Sequence, residues 1–405
     1  MHEKQKHIYV GVDLHKHQHV AVIINCWQEK LDEIKVENKP SAFSTFLLDI
    51  DKHTEEGLTP VFGLEDVGGY GRALAQYLTD HGQVVKEVNP ALSYAERKSH
   101  VTIQKSDSWD AECVARILVR QLSQLPDAKP HDLFWSIQQL VTRRNALVKA
   151  QGALKNQLHI QLSHHYPSYK KFFSEVDGKT ALAFWKQYPS PSSLDGVSVK
   201  TLTTFLLEAS NNTCSVKKAN EILKLIKEDG HTGKEYQETR DFLVRSIVRD
   251  ISFKKKEMSY VERGLLDFQL DSMPGIDLVT ASALIAEIGD VRRFPNANKL
   301  ARFAGIAPVY FGSGGKGKEH KSKQGNRALH ALFYNLAVQQ VQVAKGSKLP
   351  RNPVFYAYYQ RKLKEGKTKG QALVCIMRRL VNIIYGMMKH KTAYKLPIVS
   401  EKEIV

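Results

Sequence analysis

Hydrophobic periodicity changes once in this chain, at Leu133, and the change limits what can form on either side of it. Upstream, short β-branched runs alternate with helical patterns. Residues 8–14, 20–24 and 34–36 read as strands and 41–50 as a helix. A second cycle follows, with strands at 61–64 and 84–88 and helices at 70–81 and 107–122. Three early strands in hairpin-like succession, then helix and strand in alternation, predict a mixed sheet flanked by helices over residues 1–125.

Downstream, Leu133, Ile137, Leu140, Arg144, Leu147, Gln151, Leu154 and Leu158 recur at alternating spacings of four and three. Val244, Ile247, Ile251, Lys254, Met258, Val261, Leu265 and Phe268 repeat the pattern, so residues 126–268 are expected to form a helical, coiled-coil region with two long helices. Heptads do not name the partner: an intramolecular antiparallel pair and a dimerisation stalk both fit. Between them, 188–193 and 211–213 read as loops and 219–226 as a short helix. Residues 269–405 form a third, mainly helical segment that ends in a basic helix around 371–391.

Lysine and arginine outnumber aspartate and glutamate 59 to 42 among 405 residues, a net charge of +17, which favours a polyanionic partner. Nucleic acid comes before a membrane, because no run approaches the ~18 apolar residues of a spanning helix and the N-terminus lacks a signal-peptide core. The expected location is the cytoplasm. Cys26, Cys113, Cys214 and Cys375 are far apart and form no CxxC pair, so neither a zinc site nor a disulfide framework is indicated.

Asp13 ends the apolar run IYVGVDL and Glu65 ends VFGLE, so two buried strands deliver carboxylates to the rim of the sheet. Asp66 competes with Glu65, but in an extended segment it points to the opposite face. Asp107 and Asp110 lie three apart at the start of a helix and share one face of its first turn, although capping and helix-dipole roles account for either alone. Converging carboxylates repel without a counter-charge, and hard oxygen ligands suit Mg2+ or Mn2+, the ions of phosphodiester chemistry. His15, His17 and His19 alternate beside Asp13 and read as a solvated hairpin rather than transition-metal ligands. The order strand, strand, helix for the acids suits a ribonuclease-H-like nuclease domain.

In the last third, Met273 to Ile276 sit between helical patterns. The tight turn at Gly275 matches a helix-hairpin-helix-like motif, whose backbone N–H groups can meet a phosphate; a helix start with proline in its first turn fits equally. Ser313 then stands amid Gly312, Gly314 and Gly315, followed by Lys316, Lys318, Lys321, Lys323 and Arg327, a cationic loop in which a phosphate can approach a hydroxyl. A flexible linker is the plainer reading of that serine on local sequence. Residues 312–318 also have Walker A spacing, but Glu319 stands where a magnesium-binding Ser or Thr belongs, which excludes an ATP-binding loop.

In this order, GVDLHK, LEDVGGYG, VNP, KSDSWDA, MPGIDLVTASALIAEIGD, FAGIAPVYFGSGG and KQGNRALHALFY resemble the transposases of the insertion-sequence-110 family. The resemblance covers most of the chain, with one departure: Val67 precedes Gly68 where the family usually has threonine. It implies an N-terminal RuvC-like domain in which Asp13, Glu65, Asp107 and Asp110 bind metal, and a C-terminal transposase domain in which Ser313 is the catalytic nucleophile. It further implies donor and target DNA, a guide (bridge) RNA, and a homo-oligomer, dimer to tetramer, in which one protomer's acidic domain meets another's serine domain. Two other classes fit the bare residues: a junction-resolving endonuclease using only the acids and water, and a non-enzymatic nucleic-acid-binding protein.

Overall fold

The computed structural model describes residues 2–65, 69–100, 106–130, 133–230, 235–313, 316–320, 322 and 324–395; at 311, 313, 316, 318 and 319 it describes the backbone alone. The chain divides into two compact units, residues 1–135 and 136–405.

The first unit holds β1 (His7–Asp13), β2 (Gln18–Ile24), β3 (Lys30–Glu37), α1 (Pro40–Asp51), β4 (Thr59–Leu64), α2 (Arg72–Asp80), β5 (Val84–Glu87), α3 (Pro90–Lys98) and α4 (Asp107–Gln121). The strands form one sheet in the order β3-β2-β1-β4-β5. β1, β2 and β3 are antiparallel neighbours, whereas β4 pairs parallel with β1 and β5 parallel with β4. The mixed sheet expected from the sequence is therefore present, and α3 is an element the periodicity did not mark. Its signal is the dipeptide Asn89-Pro90: the Asn89 side chain accepts the Ala91 N–H and proline occupies the first turn.

Period-two alternation gives the sheet two buried faces. Ile8, Val10, Val12, Phe62 and Leu64 pack under α1 and α2, while Tyr9 and Val61 pack under α4. Gly11 and Gly63 occupy the α4 side as well. A Cβ at Gly11 would lie 2.1 Å from the Ala111 carbonyl oxygen, and one at Gly63 2.9 Å from Val114. The missing side chains let α4 lie directly on the central strands.

The second unit contains α5 (Leu133–His165, whose first turn belongs to the first unit), α6 (Lys179–Gln187), α7 (Val199–Ala209), α8 (Val216–Asp229), α9 (Gln237–Glu262), α10 (Leu278–Ile288), α11 (Ala297–Phe303), β6 (Val309–Ser313), β7 (Lys316–His320), α12 (Arg327–Gln340), α13 (Pro353–Lys364) and α14 (Lys369–His390). α5 and α9 run antiparallel. Arg144 meets Glu262 at 2.7 Å, His165 lies 4.0 Å from Asp241, and between these ends Asp177 joins Lys155 to Lys255.

The heptad residues Leu158, Val244 and Ile251 are buried in this chain's own core, together with Val248. The middle of the chain is more than the two helices read from the sequence. Tyr166, Phe172, Phe184, Trp185 and Tyr188 form an aromatic core closed by α6, α7 and α8, and the single short helix expected at 219–226 is the centre of the longer α8. The proline-rich 188–193 stretch hid this because its buried Tyr188 and Pro191 look like loop residues in sequence.

α14 is long and apolar enough, by length and mean hydropathy, to cross a membrane. Its residues Ala372, Leu373, Ile376, Met377, Leu380, Val381, Ile384 and Met387 are buried within the unit, which is the pattern of a core helix.

Candidate active site

Asp13 leaves the sheet as the last residue of β1, on the α4 side, two positions beyond Gly11. Parallel pairing sets Glu65 beside it, because the last β1/β4 pair is Val12 and Leu64 and both acids follow by one residue. Asp107 and Asp110 sit in the first turn of α4, which the Gly11 contact lays over the same strand.

The capping explanation for Asp107 does not hold, since the Ser106 hydroxyl accepts the Trp109 N–H and serves as the cap. Ser108 in the same turn donates to Glu33 of β3 at 2.6 Å, with Lys30 bonded to both, so the start of α4 is tied to the sheet edge. The carboxylates of α4 are thus placed by packing beneath and by a polar anchor beside.

His15 lies at the centre of this geometry. Its Nε2 is 2.9 Å from Asp13 Oδ2 and 3.3 Å from Asp107 Oδ1, and one ligand atom from each of these three residues falls within 4.8 Å of the others. The backbone that carries the ring is held from behind, where the His15 N–H donates to His19 Nδ1 at 3.2 Å. The solvated-hairpin reading holds for His15 and His17, which are exposed in the turn between β1 and β2, and is corrected for His19, which is fully buried and whose imidazole burial pushes below its ordinary value.

Asp110 is buried and meets Arg97 of α3 at 3.1 Å. Burial works against the Arg97 charge, but the hydrogen bond and charge of Asp110, with the charge of Glu65, outweigh it and hold the guanidinium above its ordinary value. Arg97, like His15, escaped the sequence reading; it lies at a helix end that the sequence did not reveal.

Asp13 shows the opposite balance. Burial raises its pKa first, His15 lowers it, and the neighbouring Asp110 and Asp107 raise it again, leaving it above the usual carboxylate value. Repulsion among acids at one rim calls for a cation. One buried oxygen of Asp110, Oδ1, has no hydrogen-bond partner, an unfilled acceptor of the kind a divalent ion takes up. The carboxylate oxygens are the hard donors that suit Mg2+ or Mn2+, with His15 bridging Asp13 and Asp107 beside them.

In the second unit Ser313 is the last residue of β6 and pairs with Lys316, the first of β7. The glycine-serine loop expected from sequence is thus the end of a β-hairpin, and the serine backbone is fixed by the ladder rather than carried on a linker. The side chains of Ser313, Lys316 and Lys318 lie outside the described residues, as do Lys321 and Lys323 entirely. Arg327 is exposed at the first position of α12, whose cap is Asn326. The exclusion of a Walker A loop agrees with this: 312–313 and 316–318 are paired strand residues, and the next helix among the described residues starts at Arg327.

Gly275 adopts φ +87° in the turn before α10. A single 3-10 turn, Leu270–Ser272, precedes it, and Asp277 caps α10 by accepting the Thr280 N–H at 2.7 Å. The turn is held from inside. The fully buried Gln340 of α12 donates its amide to the Pro274 carbonyl and accepts from Asn352 at 2.8 Å.

Two family models match the chain. One, described as a transposase, matches residues 10–167, the stretch with all four acids; the other, described as a transposase of the IS116/IS110/IS902 family, matches residues 268–360, which include Gly275, Ser313 and Arg327. The chain is 26% identical over 402 residues to the insertion element IS116 uncharacterized 44.8 kDa protein of Streptomyces clavuligerus, covering 97% of this chain and 98% of that protein. It is 25% identical over 388 residues to the pilin gene-inverting protein of Moraxella lacunata, covering 95% and 97%. A transposase for insertion sequence element IS1111A of Coxiella burnetii is 22% identical over 302 residues, covering 74% and 70%.

Proposed function

The chain belongs to the IS116/IS110/IS902 family of insertion-sequence transposases, and from that premise we propose that it cuts and rejoins DNA through Ser313, assisted by a divalent cation held at the acidic rim. The observation that carries the reading is the arrival of Asp13, Asp107 and Asp110 at one end of the sheet, with Glu65 leaving the neighbouring strand at the same level.

The strand order β3-β2-β1-β4-β5, with the first three strands antiparallel, supports a RuvC-like, ribonuclease-H-like identity for the first unit. The turn at Gly275 followed by the capped α10 supports a helix-hairpin-helix-like contact with a phosphate backbone.

In the proposed reaction the Ser313 oxygen attacks a scissile phosphorus, a phosphoserine bond forms, and the bond to one DNA oxygen breaks, that oxygen leaving with a proton. Attack by a hydroxyl of the partner strand reverses the step, releases the serine and joins the new strands. Bound by Asp13, Glu65, Asp107 and Asp110, a magnesium or manganese ion would supply charge neutralisation and polarise the reacting oxygens. Lys316, Lys318, Lys321, Lys323 and Arg327 neutralise the phosphate, and His15 fixes Asp13 relative to Asp107. Cutting and rejoining without net synthesis accords with the printed name of the pilin gene-inverting relative.

The wider reading assigns three functional parts, residues 1–125, 126–268 and 269–405, a bridge RNA that selects target and donor DNA, an oligomer from dimer to tetramer that pairs the acids of one protomer with the serine of another, and action in the bacterial cytoplasm at the nucleoid. The charge of +17 supports two polyanionic partners.

The test is a covalent-adduct assay with purified protein, its flanking transcript, Mg2+ and labelled DNA. Ser313→Ala is expected to abolish the adduct and Ser322→Ala to keep it, because Ser322 is buried and bonded to the Gln324 backbone. Cleavage that survives Ser313→Ala would instead mark a junction endonuclease working with water.

A further inference from the structure

α9 presents an outer face that neither the core nor the proposed reaction uses. On its inner side Val244, Val248 and Ile251 are buried. Half a turn away, Phe242, Arg249, Phe253, Lys256, Tyr260 and Arg263 are all exposed and recur at spacings of seven, four, three, four and three, which places them in a single stripe. Phe242, Phe253 and Tyr260 expose 58%, 57% and 47% of their surface. An isolated exposed ring is ordinary, but three aligned along ~27 Å of helix is a patterned surface.

Each ring carries a cation of its own helix. Arg249 stands 5.9 Å from the Phe242 centroid, Lys254 5.7 Å from Phe253, and Lys256 and Arg263 stand 5.7 and 5.0 Å from Tyr260. The acids of α9 leave the stripe cationic from Phe242 onward: Glu238 stands one turn before Phe242 at its N-terminal end, Asp241 accepts from Ser190 and Gln237, Glu262 meets Arg144, and Asp250 and Glu257 flank it without interrupting it.

We infer that this face binds single-stranded nucleic acid, with bases stacking on Phe242, Phe253 and Tyr260 and phosphates neutralised by Arg249, Lys256 and Arg263. The inference rests on the nucleic-acid partner of the reading above and adds a surface that reading leaves idle. Aromatic platforms set among cations suit a single strand, since unpaired bases offer π-faces that a duplex hides. The rings are ~16 and ~10 Å apart along the axis, so the bases they take are separated by intervening nucleotides and the strand follows the helix. A second copy of the chain docked on the same face would set like charges against each other across a two-fold contact, which the charge pattern disfavours.

The experiment is fluorescence anisotropy on full-length protein with labelled single strands of roughly 20 nucleotides, DNA and RNA of one sequence, and the matching DNA duplex. Replacing Phe242, Phe253 and Tyr260 together by alanine is expected to weaken single-strand binding ~100-fold or more while duplex binding stays within ~2-fold, the low end of what three stacked bases supply. The triple leucine variant should behave like the alanine one, and the RNA and DNA arms tell which strand is preferred. Single-strand binding within ~2-fold of the parent, equal loss for strand and duplex, or an effect confined to self-association in sedimentation would each overturn the inference. A parent protein that binds none of the probes would overturn it together with the nucleic-acid partner, whereas the Ser313 adduct is scored independently.

Discussion

Gly11 and Ala111 meet backbone to backbone: a Cβ on the glycine would stand 2.1 Å from the alanine carbonyl oxygen, and 2.3 Å from the Ala115 nitrogen. This contact sets the height of α4 above β1, and with it the approach of Asp107 to Asp13. Gly11→Ala must lift the helix. We expect a loss of about 2 kcal/mol or more in stability, at the upper end of overpacking costs, and a larger fractional loss of DNA cleavage. Urea denaturation beside a cleavage assay checks both; an active, undiminished Gly11→Ala protein would separate the helix from the site.

Arg97→Gln removes the cation facing buried Asp110. Because Arg97 is partly exposed, the loss is expected at roughly 1–3 kcal/mol rather than the larger cost of a fully interior pair. Thermal melts should show Mg2+ stabilising the variant more than the parent, because the ion takes over part of the lost neutralisation. Equal stabilisation of the two proteins would contradict it.

Asp177 supplies the pH dependence. Burial raises its pKa, but hydrogen bonds and charge from Lys155 and Lys255 outweigh that and bring it to about 2, against 3.8 for the free side chain. A carboxyl depressed on folding stabilises fully above its unfolded pKa, and that stability fades as pH falls from about 4 through about 2. The contribution is on the order of 1–2 kcal/mol, after allowance for the partly exposed lysines. Asp177→Asn should lower stability at neutral pH and flatten the acid limb of the stability curve between those values; an unchanged acid limb would refute it.

Gln340 ties the Gly275 turn to the cap of α13, bonding Pro274 on one side and Asn352 on the other. Gln340→Leu leaves a carbonyl and an amide unpaired in the interior and should cost roughly 1–3 kcal/mol. If the turn also meets a phosphate, non-specific duplex affinity should fall in the same variant, measured below its melting range, whereas Ser322→Ala should leave it unchanged.

Some of this was written plainly in the residues. The acids Asp13 and Glu65 could be placed because an acid closing an apolar strand run has no ordinary reason to be there, and period-two alternation then fixes its face. α5 and α9 were legible through their heptads, though their partner came from Arg144 with Glu262 and from Asp177, contacts that no periodicity encodes. Arg97 and His15 were opaque for a related reason: each owes its role to residues brought near by the fold, and charged or imidazole side chains on short segments look like solvated surface. The β6/β7 hairpin hid behind glycine and lysine, residues depleted in strands, whose pairing is visible only in the cross-strand register.

The parallel pairing of β1 with β4 carries one last implication. Asp13 and Glu65 emerge level because each strand brings the same count of residues to its terminus, so individual positions along them can be exchanged while that count cannot. Deleting a single residue from β4 would turn its terminal carboxylate toward α1 and α2 and empty one corner of the rim. Drift in this protein should therefore accumulate as replacements within the central strands, and insertions or deletions should collect in the turns between them.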